Sequence, residues 1–280
     1  MRFRPILLFL TICAVSVVFV ACSSGPSKPQ PGTPGFFFLG AKETFTAGDY
    51  LKTCENLDKA ARGAEYEAKA LTWNLVLNAG VIGGYIDLAD AFDKGAREAK
   101  ANPTPFRKNV ANFRRAARPL TLQFAERFQH FQKLEKTPEI ELASPFPPGS
   151  QAEPPLLAQV KEGNTITAIQ VDDLQTKMIA RAVILATADA TGSGDDSSKA
   201  LQMFQAGPVK IPRATFMMAM ARALSNTSEL YAKKHLDEAD RMRIFCQLAL
   251  DALKDVPDSL EVKALTAKLQ KTLKDLPPAT

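Results

Sequence analysis

The sequence predicts an all-α protein, either an irregular array of helical hairpins or a helical bundle, with a proline-rich insert that could carry a small β-hairpin. Three observations predict it. From Phe36 onward, apolar residues recur with the helical period of about 3.6. Helix-capping residues, glycines and prolines separate the periodic segments, and no run of strands able to form a large sheet is present. At 280 residues, 46% hydrophobic and 23% charged, the chain can bury a sizeable core as one large domain or two small ones.

The first element has the layout of an export leader, residues 1–21. Arg2 and Arg4 precede an uncharged apolar segment, residues 5–20, which is shorter than the roughly 20 residues of a membrane-spanning helix. Ala21, a small residue, closes this segment. An ordinary secretory signal or an uncleaved anchor would share this layout.

A cysteine follows Ala21 directly. Phe19-Val20-Ala21-Cys22 resembles the lipobox of bacterial lipoproteins, with Phe19 at the place where leucine is usual. The resemblance implies that Cys22 is lipidated, that the leader is cut before it, and that acyl chains hold the protein to a membrane. Ser23 stands where aspartate would resemble an inner-membrane retention signal. The resemblance therefore favours the outer membrane, with the body facing the periplasm.

The rest of the chain divides by composition. Residues 22–36 are rich in proline, glycine and serine and offer nothing to bury, so we expect a flexible tether. An N-terminal helical part follows at 37–136. A proline-rich insert or linker occupies 137–171, and a C-terminal helical part spans 172–276.

Helix-capping and helix-breaking residues define the predicted helix ends in the N-terminal part. Gly48 ends one helix and Asp49 caps the next. The sequence Asn-Pro-Thr-Pro at 102–105 ends a long apolar helix and starts another, with Thr104 as its N-cap. Pro119 predicts a kink or a break in that helix.

The segment around Gly48 has the residue pattern of a known helical repeat. Ala47-Gly48-Asp49-Tyr50, followed by Leu57 and Ala60, resembles the centre of a tetratricopeptide repeat. Ala41 matches the small residue of the first repeat helix, and Thr53 stands where alanine is usual. The pattern does not recur at the repeat period, so it implies an irregular array that is similar in architecture to lipid-anchored subunits of some periplasmic uptake transporters. The alternative is a helical bundle in which Gly-Asp-Tyr is a good turn.

Later segments predict further boundaries. Residues 156–171 could form the β-hairpin, turning at 162–164, although their alternation is poor. Asp172 or Asp173 is the expected cap of the next helix. Farther on, Pro212 opens another helix and Asp237 precedes a third.

The sequence does not predict catalysis. His130 and His235 each have one carboxylate within a helical turn and no third ligand, so we expect no metal, no cofactor and no enzyme. The net charge of +5, part of it in the leader, is too small to indicate nucleic-acid binding. Cys54 and Cys246 could pair in an oxidising compartment or remain buried free thiols.

Three glycines in one helix form the first candidate surface: Gly80, Gly83 and Gly84. Each costs the helix roughly 0.5–1 kcal/mol relative to alanine, so something should compensate. Either a helix of the same chain packs closely against them, or a ligand or partner does. On both interpretations we expect Gly83→Ala or Gly84→Ala to lower the melting temperature or to weaken partner binding.

Three arginines form the second candidate surface: Arg107, Arg114 and Arg118. At about 100° per residue they share one helix face, opposite an apolar face. Clustered guanidinium groups bind carboxylate or phosphate, including lipid head groups. A solvated charged face is the alternative.

Together these observations predict a lipid-anchored, periplasm-facing helical scaffold that binds a protein partner in the cell envelope. The alternative is a ligand-binding accessory subunit of a periplasmic uptake transporter. The expected partners are a membrane, through the N-terminal lipid, and an envelope protein.

Overall fold

The computed structural model describes residues 29–134 and 136–278; the leader and Cys22 lie outside this part of the chain. The prediction of an all-α fold is confirmed, because the described residues are mainly helical and contain a single two-stranded sheet. The helices are α1 (Pro34–Thr46), α2 (Tyr50–Ala60), α3 (Ala64–Glu98), α4 (Thr104–Leu134), α5 (Pro155–Lys161), α6 (Ala168–Ala190), α7 (Ser197–Gln205), α8 (Arg213–Glu229), α9 (Ala239–Leu253) and α10 (Leu260–Asp275). The strands are β1 (Glu139–Leu142) and β2 (Val209–Pro212).

Helices α1 and α2 form the hairpin that the sequence predicts. Gly48 has a φ of +77°, which glycine adopts without strain. Asp49 caps α2, its side chain accepting a hydrogen bond from the Lys52 N–H at 3.1 Å. Helix α1 starts at Pro34 with Thr33 as its cap, so it begins inside the predicted tether. The small and apolar residues of the repeat-like pattern are buried: Ala41, Tyr50, Leu57 and Ala60.

Helix α3 is the centre of the core. It contacts α2, α4, α6 and α8, so the predicted N-terminal and C-terminal helical parts pack against each other. By length and composition α3 could cross a membrane, but 72% of its most apolar window is buried inside the protein. A buried core helix has the same composition as a membrane-spanning one, so this property does not distinguish the two.

The sheet differs from the predicted hairpin. Strand β1 pairs antiparallel with β2, with Ile140 opposite Ile211. Residues 156–171, predicted as a possible hairpin, instead form most of α5, a turn and the first residues of α6. Gly163 in that turn has a φ of +81°, and a Cβ there would lie 2.7 Å from the backbone at the end of α3. The prediction was wrong because Gly163 ends a helix against α3, whereas the strand pairing is made by residues far apart in sequence.

Pro119 was predicted to kink or break its helix, and Asp172 or Asp173 to cap the next one; the break and this cap do not occur. Helix α4 continues through Pro119 without a break. Pro119 and Arg115 are both exposed, so water can bind the carbonyl that loses its donor. Helix α6 starts before Asp172 and Asp173, because Thr167 caps it in a reciprocal capping box with Gln170.

Both cysteines in the described residues are buried and free. Cys54 lies in α2 and Cys246 in α9. Burial raises the pKa of Cys54 to about 12 and also raises the pKa of Cys246. Both thiols are therefore protonated near neutral pH and act as small core side chains.

Candidate binding groove along α3

Three cavities lie next to one another along α3. Their volumes are about 420, 320 and 600 Å³. The first two share Gly83 and Ile86, the last two share Asp90 and His235, and Asp87 lines all three. We call this continuous depression the α3 groove.

One end of the α3 groove has a floor of small apolar side chains. Helices α6 and α8 form its walls, and α3 lies between them. A Cβ built on Gly83 meets no atom within 4 Å, so the groove is open at this point. The other small residues that line this end are Ala79, Ala182, Ala186 and Ala223.

The middle of the groove is charged. Asp87 and Asp90 project from α3, Arg114 comes from α4, and Lys234 follows α8. Burial raises the pKa of Asp87, although Arg181, whose Nη1 lies 3.9 Å from the Asp87 carboxylate, opposes this shift. Opposite charges from four segments therefore meet in a partly desolvated groove.

His235 contributes a neutral polar group. Burial lowers its pKa, and the positive charge of Arg114 lowers it further. The imidazole is therefore uncharged at neutral pH. Its Nδ1 atom is buried without a hydrogen-bond partner among the described residues.

At the apolar end, Arg222 connects three helices. Its guanidinium binds Asp189 of α6 and lies 2.7 Å from Glu261 of α10. Burial raises the pKa of Asp189, and Arg222 opposes the shift. This pairing connects α8 to α6 and α10 at the edge of the groove, and its partly exposed charges add modestly to the packing of these helices.

The three glycines have different surroundings. A Cβ on Gly80 would lie 2.6 Å from Val183 Cα, and one on Gly84 would lie 2.9 Å from Ile179 Cα. Gly80 and Gly84 are buried against α6 and belong to the core. Close helix packing therefore explains these two, whereas Gly83 faces the open groove.

The three arginines are separated as well. Arg107 is exposed to solvent. Arg118 forms an ion pair with Glu238 at 2.8 Å. Arg114 lines the groove with Gly83, so these are the two predicted site residues that the fold brings together.

Most of the residues that line the groove were not predicted from the sequence. Asn226, Lys234 and His235 come from α8 and the segment after it, far in sequence from α3. One signal was available, because Asp87 and Asp90 follow a stretch of α3, residues 70–86, that carries no charged side chain. Carboxylates on such a helix indicate a face that no other helix covers.

The groove is lined by carboxylates, by Arg114, Arg181 and Lys234, and by the neutral His235. Within residues 29–134 and 136–278, no group of three or more His, Cys, Asp or Glu side chains could hold a metal ion. Comparison with protein families, curated proteins and solved structures finds no match for this chain. The function of this chain can therefore be inferred only from its sequence and from the geometry of the groove.

Proposed function

We propose that this protein is a lipid-anchored scaffold of the cell envelope, facing the periplasm from the outer membrane, and that it binds a partner protein in the α3 groove. The observation that supports binding is the open floor at Gly83. A glycine in mid-helix costs stability, and among the described residues no helix packs on this one to offset the cost. The lipobox-like sequence ending at Cys22 supports the anchor.

The length of the groove favours a protein segment as the occupant. Lining residues on α3 run from Ala79 to Arg97, which at about 1.5 Å per residue is roughly 27 Å. An amphipathic helix of a partner would span this distance. Its small side chains would lie over Gly83, and its charged side chains would meet Asp90 and Arg114.

A small ligand is the second candidate. The largest of the three groove cavities, about 600 Å³, has the size of a small-molecule site. Asp87 and Arg181 in its lining would suit a molecule that carries both charges. This observation favours the accessory subunit of a periplasmic uptake transporter.

A bulky side chain at Gly83 tests the groove. We expect Gly83→Leu to fold normally, because the position faces open space, and to reduce partner capture at least about tenfold, the effect of roughly 1.4 kcal/mol of lost binding. Capture is measured by detergent pull-down and mass spectrometry from envelopes. The matched control is Asn112→Leu, on an exposed α4 position about 200° around the helix from Arg114.

A photo-crosslinking residue distinguishes the two occupants. Placed at Asn226 on the groove rim, it should crosslink a protein, whereas the same residue at Asn112 should not. Equal capture by the Gly83→Leu and wild-type proteins would contradict the groove as the partner site. A Gly83→Leu protein that keeps its crosslinked partner but no longer retains a small molecule on native mass spectrometry would favour the second candidate.

The anchor has a separate test. We expect Cys22→Ala to leave the chain unacylated and uncleaved at this position, since the thiol is the proposed acceptor of the diacyl group. Intact-mass analysis of the membrane fraction measures both properties. The anchor proposal fails if the variant has the same mature N-terminus as the wild type and has lost no acyl mass.

A further inference from the structure

An apolar patch lies on the first two turns of α1. Phe36 is 40% exposed and Leu39 is 37% exposed, although both are large hydrophobic residues. The ring of Phe37 is 5.7 Å from that of Phe36 and packs edge to face with it. We call Phe36, Phe37 and Leu39 the α1 patch.

The patch is confined to one end of its helix. The inner face of α1 is buried through Phe38, Ala41 and Phe45, as a core helix requires. On the outer face, apolar exposure stops after Leu39, and Glu43 is the residue one turn further on. The patch is therefore not an extension of the core, and it lies where the chain enters from the tether.

The path of the chain restricts what can cover this patch. Residues just before α1 are held in a turn, since Thr33 donates through its N–H and its hydroxyl to the Gln30 carbonyl at 3.1 and 2.7 Å. Between Cys22 and Pro29 an extended chain reaches at most about 25 Å. An acylated Cys22 would therefore keep the start of α1 close to a membrane surface.

Basic side chains flank the patch. The Lys59 ammonium lies 5.2 Å from the centre of the Phe37 ring, and Arg62 is exposed just after α2 ends. The carboxylates on α2 are paired, Glu55 with Lys52 at 2.7 Å and Asp58 with Arg127, whereas Glu65 at the start of α3 is exposed. Aromatic and aliphatic side chains beside lysine and arginine match the boundary between acyl chains and anionic head groups.

We infer that the α1 patch is a membrane-docking surface that places Phe36 and Leu39 at the head-group level of a phospholipid bilayer. This inference rests on the proposed lipid anchor at Cys22. A single lipid anchor leaves the body free to tumble, whereas a second contact fixes its orientation. The hairpin of α1 and α2 would then lie against the bilayer at its tether end.

Fluorescence quenching by lipid tests the docking. The full chain carrying Phe36→Trp is placed in vesicles of phosphatidylcholine and phosphatidylglycerol in equal amounts, with bromine on the acyl chains. The native Trp73 is only 1% exposed, so it gives a constant background. The control is Leu51→Trp, which is 48% exposed at the other end of the hairpin, about 15 Å along α1 from Phe36.

We expect brominated lipid to remove about half of the fluorescence that Phe36→Trp adds and to leave that of Leu51→Trp nearly unchanged. Leu39→Trp should be quenched like Phe36→Trp. Agreement between the two variants shows that the quenching is not caused by a local change in one of them. Equal quenching at Phe36 and Leu51, or none at either, overturns the docking surface. Protection of Phe36→Trp from aqueous acrylamide without lipid quenching also overturns it, because protein would then cover the patch.

Intact-mass analysis of the same samples separates the two proposals. Acylated protein without quenching rejects the docking surface and leaves the anchor standing. Quenching of protein that carries no acyl group rejects the anchor and leaves the docking surface standing.

Discussion

Gly80→Ala is expected to lower the free energy of unfolding by about 1–3 kcal/mol, because the new methyl group overpacks a helix contact. Its Cβ would lie 2.6 Å from Val183 Cα and 3.0 Å from the Val183 backbone nitrogen. These are backbone atoms, so relief requires α6 to move as a unit. Urea denaturation, read by circular dichroism, measures the change.

Gly83→Ala is the matched control and should act in the opposite direction. Its methyl group meets nothing within 4 Å, so the gain in helix propensity, about 0.5–1 kcal/mol, should raise the melting temperature. From the sequence, alanine at Gly83 or Gly84 was expected to lower the melting temperature. The structure reverses this expectation for Gly83. It keeps it for Gly84, where a Cβ would lie 2.9 Å from Ile179 Cα. Stabilisation by Gly80→Ala would show that α3 and α6 are not in close contact.

Asp58→Ala is expected to cost about 2–4 kcal/mol, because it leaves a nearly buried guanidinium without its charge partner. Arg127 is only 10% exposed, and its Nε donates to Asp58 Oδ1 at 3.0 Å. Its Nη1 is already buried without a partner among the described residues. Asn74 also donates to Asp58 Oδ1, at 2.8 Å, and loses that bond.

The reciprocal change should cost less. Arg127→Met removes the buried charge and fills its space with an apolar chain, while Asp58, which is 46% exposed, remains hydrated. We expect a loss of about 1 kcal/mol, and a double variant close to Arg127→Met alone. If Arg127→Met proves the more destabilising single change, the cost does not come from an unpaired guanidinium.

Local sequence signals predicted the parts of the fold that depend on neighbouring residues. Gly48 and Asp49 fixed the first hairpin, because a positive φ and an N-cap are properties of single positions. The same holds for Pro212 before α8. Thr167 could also have been recognised, since Gln170 three residues later completes a capping box.

Contacts between distant segments could not be predicted in this way. The partner of β1 is β2, and nothing near β1 indicates that pairing. Gly80 is packed and Gly83 is open because of where α6 lies. The position of α6 cannot be predicted from the glycines alone. The groove required α8 and the segment after it to be placed beside α3, so Asp90 and His235 came together only in the folded chain.

During synthesis, α3 leaves the ribosome before the helices that cover it. Residues up to Ala190 must follow before α6 can pack on Gly80 and Gly84, and residues up to Glu229 before α8 can contact α3. At about 5–20 residues per second, this interval is on the order of ten seconds. Throughout it, the face of α3 that packs on α6 is uncovered, and among the described residues α3 is the helix long and apolar enough to cross a membrane. Until the C-terminal half arrives, α3 can bury only the surface that packs on α2 and α4, and its remaining apolar face is open to aggregation.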